Sequence, residues 1–334
     1  MRVLVTGATG LLGPHLCSRL VQDGNEVTIF RRPTSNITPL ATLRLRHEIG
    51  DITNFEDVKQ AATDQDVVIH GAAHTAYFGA SVEEQESVNV EGTRNVALAC
   101  REAHVGRLLH VSSIAAVGIT TDPRRPADES FEFNLQGSGM SYHISKHRAE
   151  EEILKEAKKG LDAVVVNPAL IWGPKGNEYR GADVFEKPMR GRIIAHGPGG
   201  RCIVHVMDVV EGILRALEYG RSGERYILGG DNVSFGELNR EVCRQLGLTR
   251  LHIPIPGAMA QFGNRIKGRL HKALGRKPPP TYDRRFCHQF YSSSKAKSEL
   301  GYNSRPFVSL LQEAASYLGP AVGDARGAAQ IVTG

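Results

Sequence analysis

Arg2-Val-Leu-Val-Thr6-Gly-Ala-Thr-Gly-Leu-Leu-Gly13 opens the chain with a short apolar run that breaks into three glycines spaced three apart. The run reads as a buried parallel strand. Leu11, Leu12, Leu16, Leu20 and Val21 then follow at helical spacing. Between strand and helix, Gly7 permits a tight turn, Gly10 lets main chain approach a phosphate, and Gly13 allows close packing of the helix. The positive end of the helix then faces an anion. The stretch predicts a dinucleotide site on the first βα unit of a doubly wound α/β sheet.

The second strand, Glu26-Val-Thr-Ile-Phe30, ends in Arg31 and Arg32, followed by Thr34 and Ser35. A carboxylate at this point would take ribose hydroxyls and repel a 2′-phosphate, whereas a guanidinium pairs with the phosphate. The expectation is NADP(H), with NAD(H) as the alternative if these arginines are only solvated loop charges.

Tyr142-His-Ile-Ser-Lys146 supplies the chemistry. Its phenol and ammonium stand one helical turn apart. The ammonium favours the phenolate form, and a phenol that trades protons beside a dinucleotide suits hydride transfer at a carbinol carbon. Leu108-Leu-His-Val-Ser112-Ser113 reads as a buried strand ending in two hydroxyls, where α/β sheets place their ligands.

Together these motifs resemble the extended short-chain dehydrogenases/reductases, the NAD-dependent epimerase/dehydratase group, over residues 1–318. Thr6 to Gly13 resembles the family fingerprint T-G-x-x-G-x-x-G, which implies cofactor contacts from Gly7, Thr9, Gly10, Leu11, Leu12 and Gly13. Gly50-Asp51-Ile52 resembles the adenine-contacting segment, and His70-Gly-Ala72-Ala73 the strand end beside the nicotinamide ribose. Asn89-Val-Glu-Gly-Thr93 resembles the helix flanking the cofactor, and Asn167-Pro168-Ala-Leu170 opens the loop between cofactor and substrate. Counting back from Gly118, the resemblance puts the catalytic serine at Ser113, beside Tyr142 and Lys146. Dehydratases of the group carry an acidic pair after this strand; Ile114-Ala-Ala-Val-Gly118 has none. Dihydroflavonol reductases, 3β-hydroxysteroid dehydrogenases and hopanoid-associated epimerase-like members resemble the chain most. The resemblance implies a carbonyl reductase or alcohol dehydrogenase with Tyr142 as acid and base. Asn167 and Arg201 also resemble residues that hold a diphosphate in nucleotide-sugar epimerases, which keep NAD bound. A cofactor-binding protein without catalysis is the third reading, against which the complete Ser113, Tyr142, Lys146 set argues.

The 334 residues suffice for a full core with a smaller appended lobe. Strand patterns near 2–6, 26–30, 46–50, 66–70, 107–112 and 162–167 alternate with helices, which predicts a Rossmann domain over 1–172. A substrate lobe over 173–319, with some segments returning to the core, and a disordered tail over 320–334 complete the expected plan. Five scattered cysteines suggest a reducing cytoplasm and no disulfide or zinc framework. No apolar run approaches a membrane span, and the opening residues read as a core strand without an n-region or h-region, so a protein that is neither secreted nor membrane-spanning is expected. A net charge of +5 is too mild to indicate nucleic acid. His70 and His110 read as core histidines, and His143 and His147 lack the acidic partners of a metal site. Met259, Phe262, Ile266, Leu270 and Leu274, interleaved with Arg265, Lys267, Arg269, Lys272, Arg276 and Lys277, predict a basic amphipathic helix. It reads as a lid on the substrate lobe, or alternatively as weak peripheral contact with an anionic membrane or a site for a phosphorylated or acyl-carrier substrate. Arg284 and Arg285 read as loop charge. The resemblance further implies a homodimer through the helices after Ser81 and Tyr142, with Val88, Val96 and Ile153 as supporting apolar positions, acting on a small-molecule substrate.

Overall fold

The structure is a computed structural model that describes residues 1–75, 81–120, 122–176, 178–257 and 287–318. The basic stretch 259–277, Arg284, Arg285 and the expected disordered tail 320–334 lie outside the described residues.

Strands β1 (Arg2–Thr6), β2 (Glu26–Arg31), β3 (Arg46–Ile49), β4 (Val67–His70), β5 (Arg107–Val111) and β6 (Ala163–Pro168) match the alternation expected from the sequence. After them come β7 (Leu170–Lys175), β8 (Glu178–Arg180), β9 (Ile193–His196), β10 (Gly200–His205) and β11 (Arg225–Leu228). A parallel sheet of seven strands runs β11-β6-β5-β4-β1-β2-β3. The direction of chain progression reverses between β1 and β4, and open α/β sheets bind ligands at such a switch point.

Alternate residues of each strand feed separate cores on the two faces. Val3, Val5 and Ile69 pack with Leu16, Cys17 and Leu20 of helix α1 (Gly13–Gln22). Leu4, Val68 and Leu108 pack on the other face with α2 (Phe55–Ala62), α4 (Gly92–Glu102) and α5 (Ser141–Ala157). Burial on both faces explains why these strands read as continuous apolar runs.

Helix α3 (Val82–Gln85) leads into α4 through a π-helical stretch, Glu86–Glu91. Val96 and Ile153, offered by the sequence as dimer-forming positions, are instead fully buried in the protomer's own core, and Val88 packs against the same cluster. Their periodicity reflects packing on the sheet. Intrachain ion pairs lie on these helices instead, Arg94 with Glu91 and Glu152, and Arg148 with Glu86.

After β6 the chain builds a smaller sheet in the order β12-β10-β7-β8, with β12 spanning Asp231–Ser234. Its core gathers Trp172, Tyr179, Phe185, Val233 and Leu238 with Leu310 and Leu311 of the helix Phe307–Tyr317. Helix α6 (Val206–Tyr219) returns to the first sheet, where Val209, Val210 and Ile213 join the core beneath α1. Strand β11 follows as the seventh strand, so residues 206–228 complete the dinucleotide-binding layer from beyond the expected boundary at 172. Among the described residues no helix is long and apolar enough to cross a membrane.

Candidate active site

The glycine turn lies at the switch point. Gly7 adopts φ +75°, and a Cβ there would stand 2.5 Å from the main chain of Gly71, just past β4. At Gly13 a Cβ would stand 2.1 Å from the carbonyl oxygen of Ala8. Gly10 is exposed, and its added Cβ would meet only the Gly7 carbonyl, at 3.4 Å. Two glycines therefore draw the main chain tight, while the third leaves open space beside it. No side chain caps the start of α1 and no acidic residue stands in its first turn. An uncapped helix start with no carboxylate opposing its positive end fits the pyrophosphate of a dinucleotide. Thr9, Leu11 and Leu12 line this turn, half-buried.

A chain of hydrogen bonds links the turn to α5. Thr93 Oγ1 donates to the Asn89 carbonyl at 2.6 Å, so it accepts from His70 Nε2 at 2.9 Å. The His70 Nδ1 lone pair is then left to accept from Thr6 Oγ1 at 2.8 Å, and Thr6 Oγ1 accepts from the Ala72 amide at 3.2 Å. Only the neutral ring satisfies these contacts, and burial pushes the His70 pKa down to about 3. Asn89, in the π-helical stretch, takes the His74 amide at 2.7 Å and donates to Ser145 Oγ at 2.9 Å. Ser145 Oγ in turn donates to the carbonyl of Tyr142 at 3.0 Å. The strand ends around Ala72 and Ala73 are thereby tied to the first turn of α5.

Tyr142 and Lys146 are both buried, 7% and 1% exposed. Lys146 Nζ donates to the Val111 carbonyl at 3.3 Å and lies 3.5 Å from His110 Nε2. Burial lowers its pKa to about 8, against an upward pull from Glu150. Ser113 is half-buried, with an extended backbone, and caps the turn Ile114–Ala116 by accepting the Ala115 amide on Oγ at 3.1 Å. Ser112 is buried beside it.

The residues expected at the outer part of a cofactor lie at the ends of β2 and β3. Arg31 Nε donates to His47 Nδ1 at 3.1 Å, and Arg32 is exposed. The Asp51 carboxylate accepts from Thr53, which holds its pKa below the ordinary range, helped by Arg32. Ile52 is buried against Gly92, where an added Cβ would come within 2.9 Å of it. Pro168 ends β6, and Leu170, half-buried, starts β7.

Asn167 requires a correction. It is fully buried, and its Nδ2 donates to the Ser113 carbonyl at 3.0 Å and to Glu150 Oε1. It therefore points beneath α5 and not at a substrate, because the penultimate position of β6 packs under that helix. Arg201 lies on β10, its guanidinium 5.6 Å from the Phe235 ring centroid. Sequence reasoning missed Ser145, Glu150 and Arg225. Glu150 carried a signal, since it repeats the Tyr142–Lys146 spacing once more, whereas Arg225 carried none.

The model of the family described as NAD dependent epimerase/dehydratase matches residues 3–229. Sterol demethylase protein B of Methylococcus capsulatus is 31% identical over 90% of this chain and 93% of its own length. A putative dihydroflavonol 4-reductase of Synechocystis is 30% identical over 89% and 88%. The solved structure of gox2253 superposes with a TM-score of 0.83 at 33% identity, covering 94% of this chain and 97% of its own.

Proposed function

Because this chain belongs to the NAD-dependent epimerase/dehydratase family and is an NAD(P)-dependent oxidoreductase, we propose that it reduces the carbonyl of a hydrophobic small molecule, or oxidises the corresponding alcohol, with NADP(H). The observation that carries this reading is the buried Tyr142–Lys146 pair, one turn apart and bonded through Ser145 and Asn89 to the strand ends at the glycine turn. When bound, the nicotinamide supplies or receives the hydride. Ser113 Oγ orients the substrate oxygen, and Tyr142 Oη gives that oxygen its proton. Lys146 stabilises the phenolate left behind and anchors the cofactor ribose. Gly7, Gly10, Gly13 and the start of α1 hold the pyrophosphate. Ile114, Ala115 and Ala116 offer no carboxylate for dehydration and are buried, which supports simple hydride transfer.

The residues that an epimerase would aim at a diphosphate are otherwise engaged. Asn167 serves Ser113 and Glu150, and Arg201 packs on Phe235. Arg201→Ala is therefore expected to change KM less than about threefold. A pocket that used this guanidinium for a diphosphate would lose about 1.5–3 kcal/mol, or roughly 10–150-fold. The purified chain should oxidise NADPH in the presence of hydrophobic ketones. A retained UDP- or GDP-sugar with tightly bound NAD, and no ketone reduced, would overturn the reading.

The NADP(H) preference rests on Arg31, Arg32 and His47, which gather positive and donor groups where a ribose-binding carboxylate would otherwise stand. Arg31→Ala should lower the NADPH-over-NADH affinity ratio by about tenfold, the loss of one charge-assisted contact. An unchanged ratio in paired titrations assigns Arg31 to the surface.

A further inference from the structure

Tyr142, Lys146 and Glu150 stand on successive turns of one face of α5, and all three are buried. Only the first two take part in the reaction above. Glu150 Oε2 accepts from Arg225 Nη1 at 3.3 Å, and Oε1 accepts from Asn167 Nδ2. The same Asn167 amide donates to the Ser113 carbonyl at 3.0 Å. Arg225 is itself anchored, donating to the Glu129 carbonyl at 2.6 Å. A continuous run of polar contacts thus joins β11, at the edge of the sheet, to the main chain of Ser113. Lys146 stands outside this run, one helical turn before Glu150 on the same face, its Nζ donating to the Val111 carbonyl.

We propose that Glu150 is a positioning residue: pinned by Arg225, it fixes the Ser113 main chain through Asn167 and sets how much negative charge Lys146 feels. This rests on the reading of Lys146 as a cofactor-facing group. The other groups around Lys146 do not compete for this part. His110 on β5 and His70 on β4 are held neutral by burial, and the Val111 carbonyl is uncharged. Tyr142 shares its helix, and Thr93, Asn89 and Asn167 carry no charge. Glu150 is the anion whose pull on Lys146 opposes burial. Arg225 moderates that pull by pairing with the same carboxylate.

The test uses the full chain and the dissociation constants of NADPH and NADH, followed by cofactor fluorescence from pH 6 to 10. Wild type should lose affinity above a break near pH 8, as the Lys146 ammonium gives up its proton. Lys146→Met should abolish the break. Glu150→Gln should move it to lower pH by about one unit, because the anion favouring the ammonium is gone. Arg225→Met should move it the opposite way, because Glu150 then acts on Lys146 unpaired. Arg225→Lys should restore the wild-type position. A merely structural role would weaken binding in both variants without shifts of opposite sign. A break that neither variant moves, or that both move in one direction, overturns the inference alone. A wild-type profile with no break overturns it together with the assigned role of Lys146. Glu150→Gln keeps the side-chain shape and can still accept from Asn167, so its shift decides the matter if Arg225→Met does not fold.

Discussion

Tyr142→Phe is expected to lower turnover by about 10²–10⁴-fold while leaving dinucleotide affinity within about twofold of wild type. The substitution removes one oxygen from a side chain that is 7% exposed, so the packing of the ring survives. What is lost is the proton that must reach the substrate oxygen as the hydride arrives. In the proposed reaction Ser113 can orient that oxygen, since its Oγ accepts from the Ala115 amide and its hydroxyl hydrogen stays free to donate, but an aliphatic alcohol is too weak an acid to replace the phenol. The loss should fall on kcat and kcat/KM equally, since the phenol acts only in the transition state. Turnover within threefold of wild type would remove Tyr142 from the reaction. Lys146→Met should differ in kind, weakening turnover and cofactor affinity together, because in the proposed reaction one ammonium serves both phenolate and ribose.

The parts of this site that the sequence made legible are those governed by local rules. A glycine turn between strand and helix is written in contiguous residues, and Gly7 and Gly13 stand where an added Cβ would strike main chain. The Tyr142–Lys146 pair needs only helical periodicity. The parallel strands were readable because burial on both faces leaves them uniformly apolar. What stayed hidden depends on contacts between distant segments. Arg225 meets Glu150 across 75 positions, and no local pattern marks an arginine that opens a strand as the partner of a helix glutamate. Asn167 misled for a related reason: its place before Pro168 suggested the substrate loop, yet its side chain turns under α5 once β6 takes its position in the sheet. Val96 and Ile153 misled because an apolar stripe on a helix looks the same whether it packs on its own sheet or on a partner. The His70 relay was accessible only as a buried histidine; its tautomer follows from the direction of the Thr93 hydrogen bond, which needs coordinates.

Lys146→Met should make the dinucleotide-free protein more stable at pH 7, by about 2–3 kcal/mol. Lys146 is 1% exposed, and burial lowers its pKa to about 8 from an ordinary value of 10.5. Below pH 8 the lysine is protonated in both folded and unfolded chains, so the folded state carries the whole cost of a buried ammonium. Between about pH 8 and 10.5 the unfolded chain still binds the proton that the folded chain has released, so stability rises with pH. Above that range the cost is gone. A gap of this size corresponds to about 3 kcal/mol at 1.36 kcal/mol per pH unit. Methionine fills a similar volume without the charge, but it leaves the Val111 carbonyl without the ammonium donor, which offsets about 1 kcal/mol. The advantage of the variant should therefore be largest at pH 7 and should shrink as the pH approaches 10. Urea unfolding at pH 7 and pH 9.5 without added dinucleotide checks the sign, since a bound ligand would stabilise the two proteins unequally. A variant less stable than wild type at pH 7, or a difference that does not depend on pH, would mean that the ammonium is well compensated in the folded chain. The expected result instead makes Lys146 a group kept at the expense of stability, which fits the proposed reaction, where a positive charge stands beside Tyr142 in a core that does not favour it.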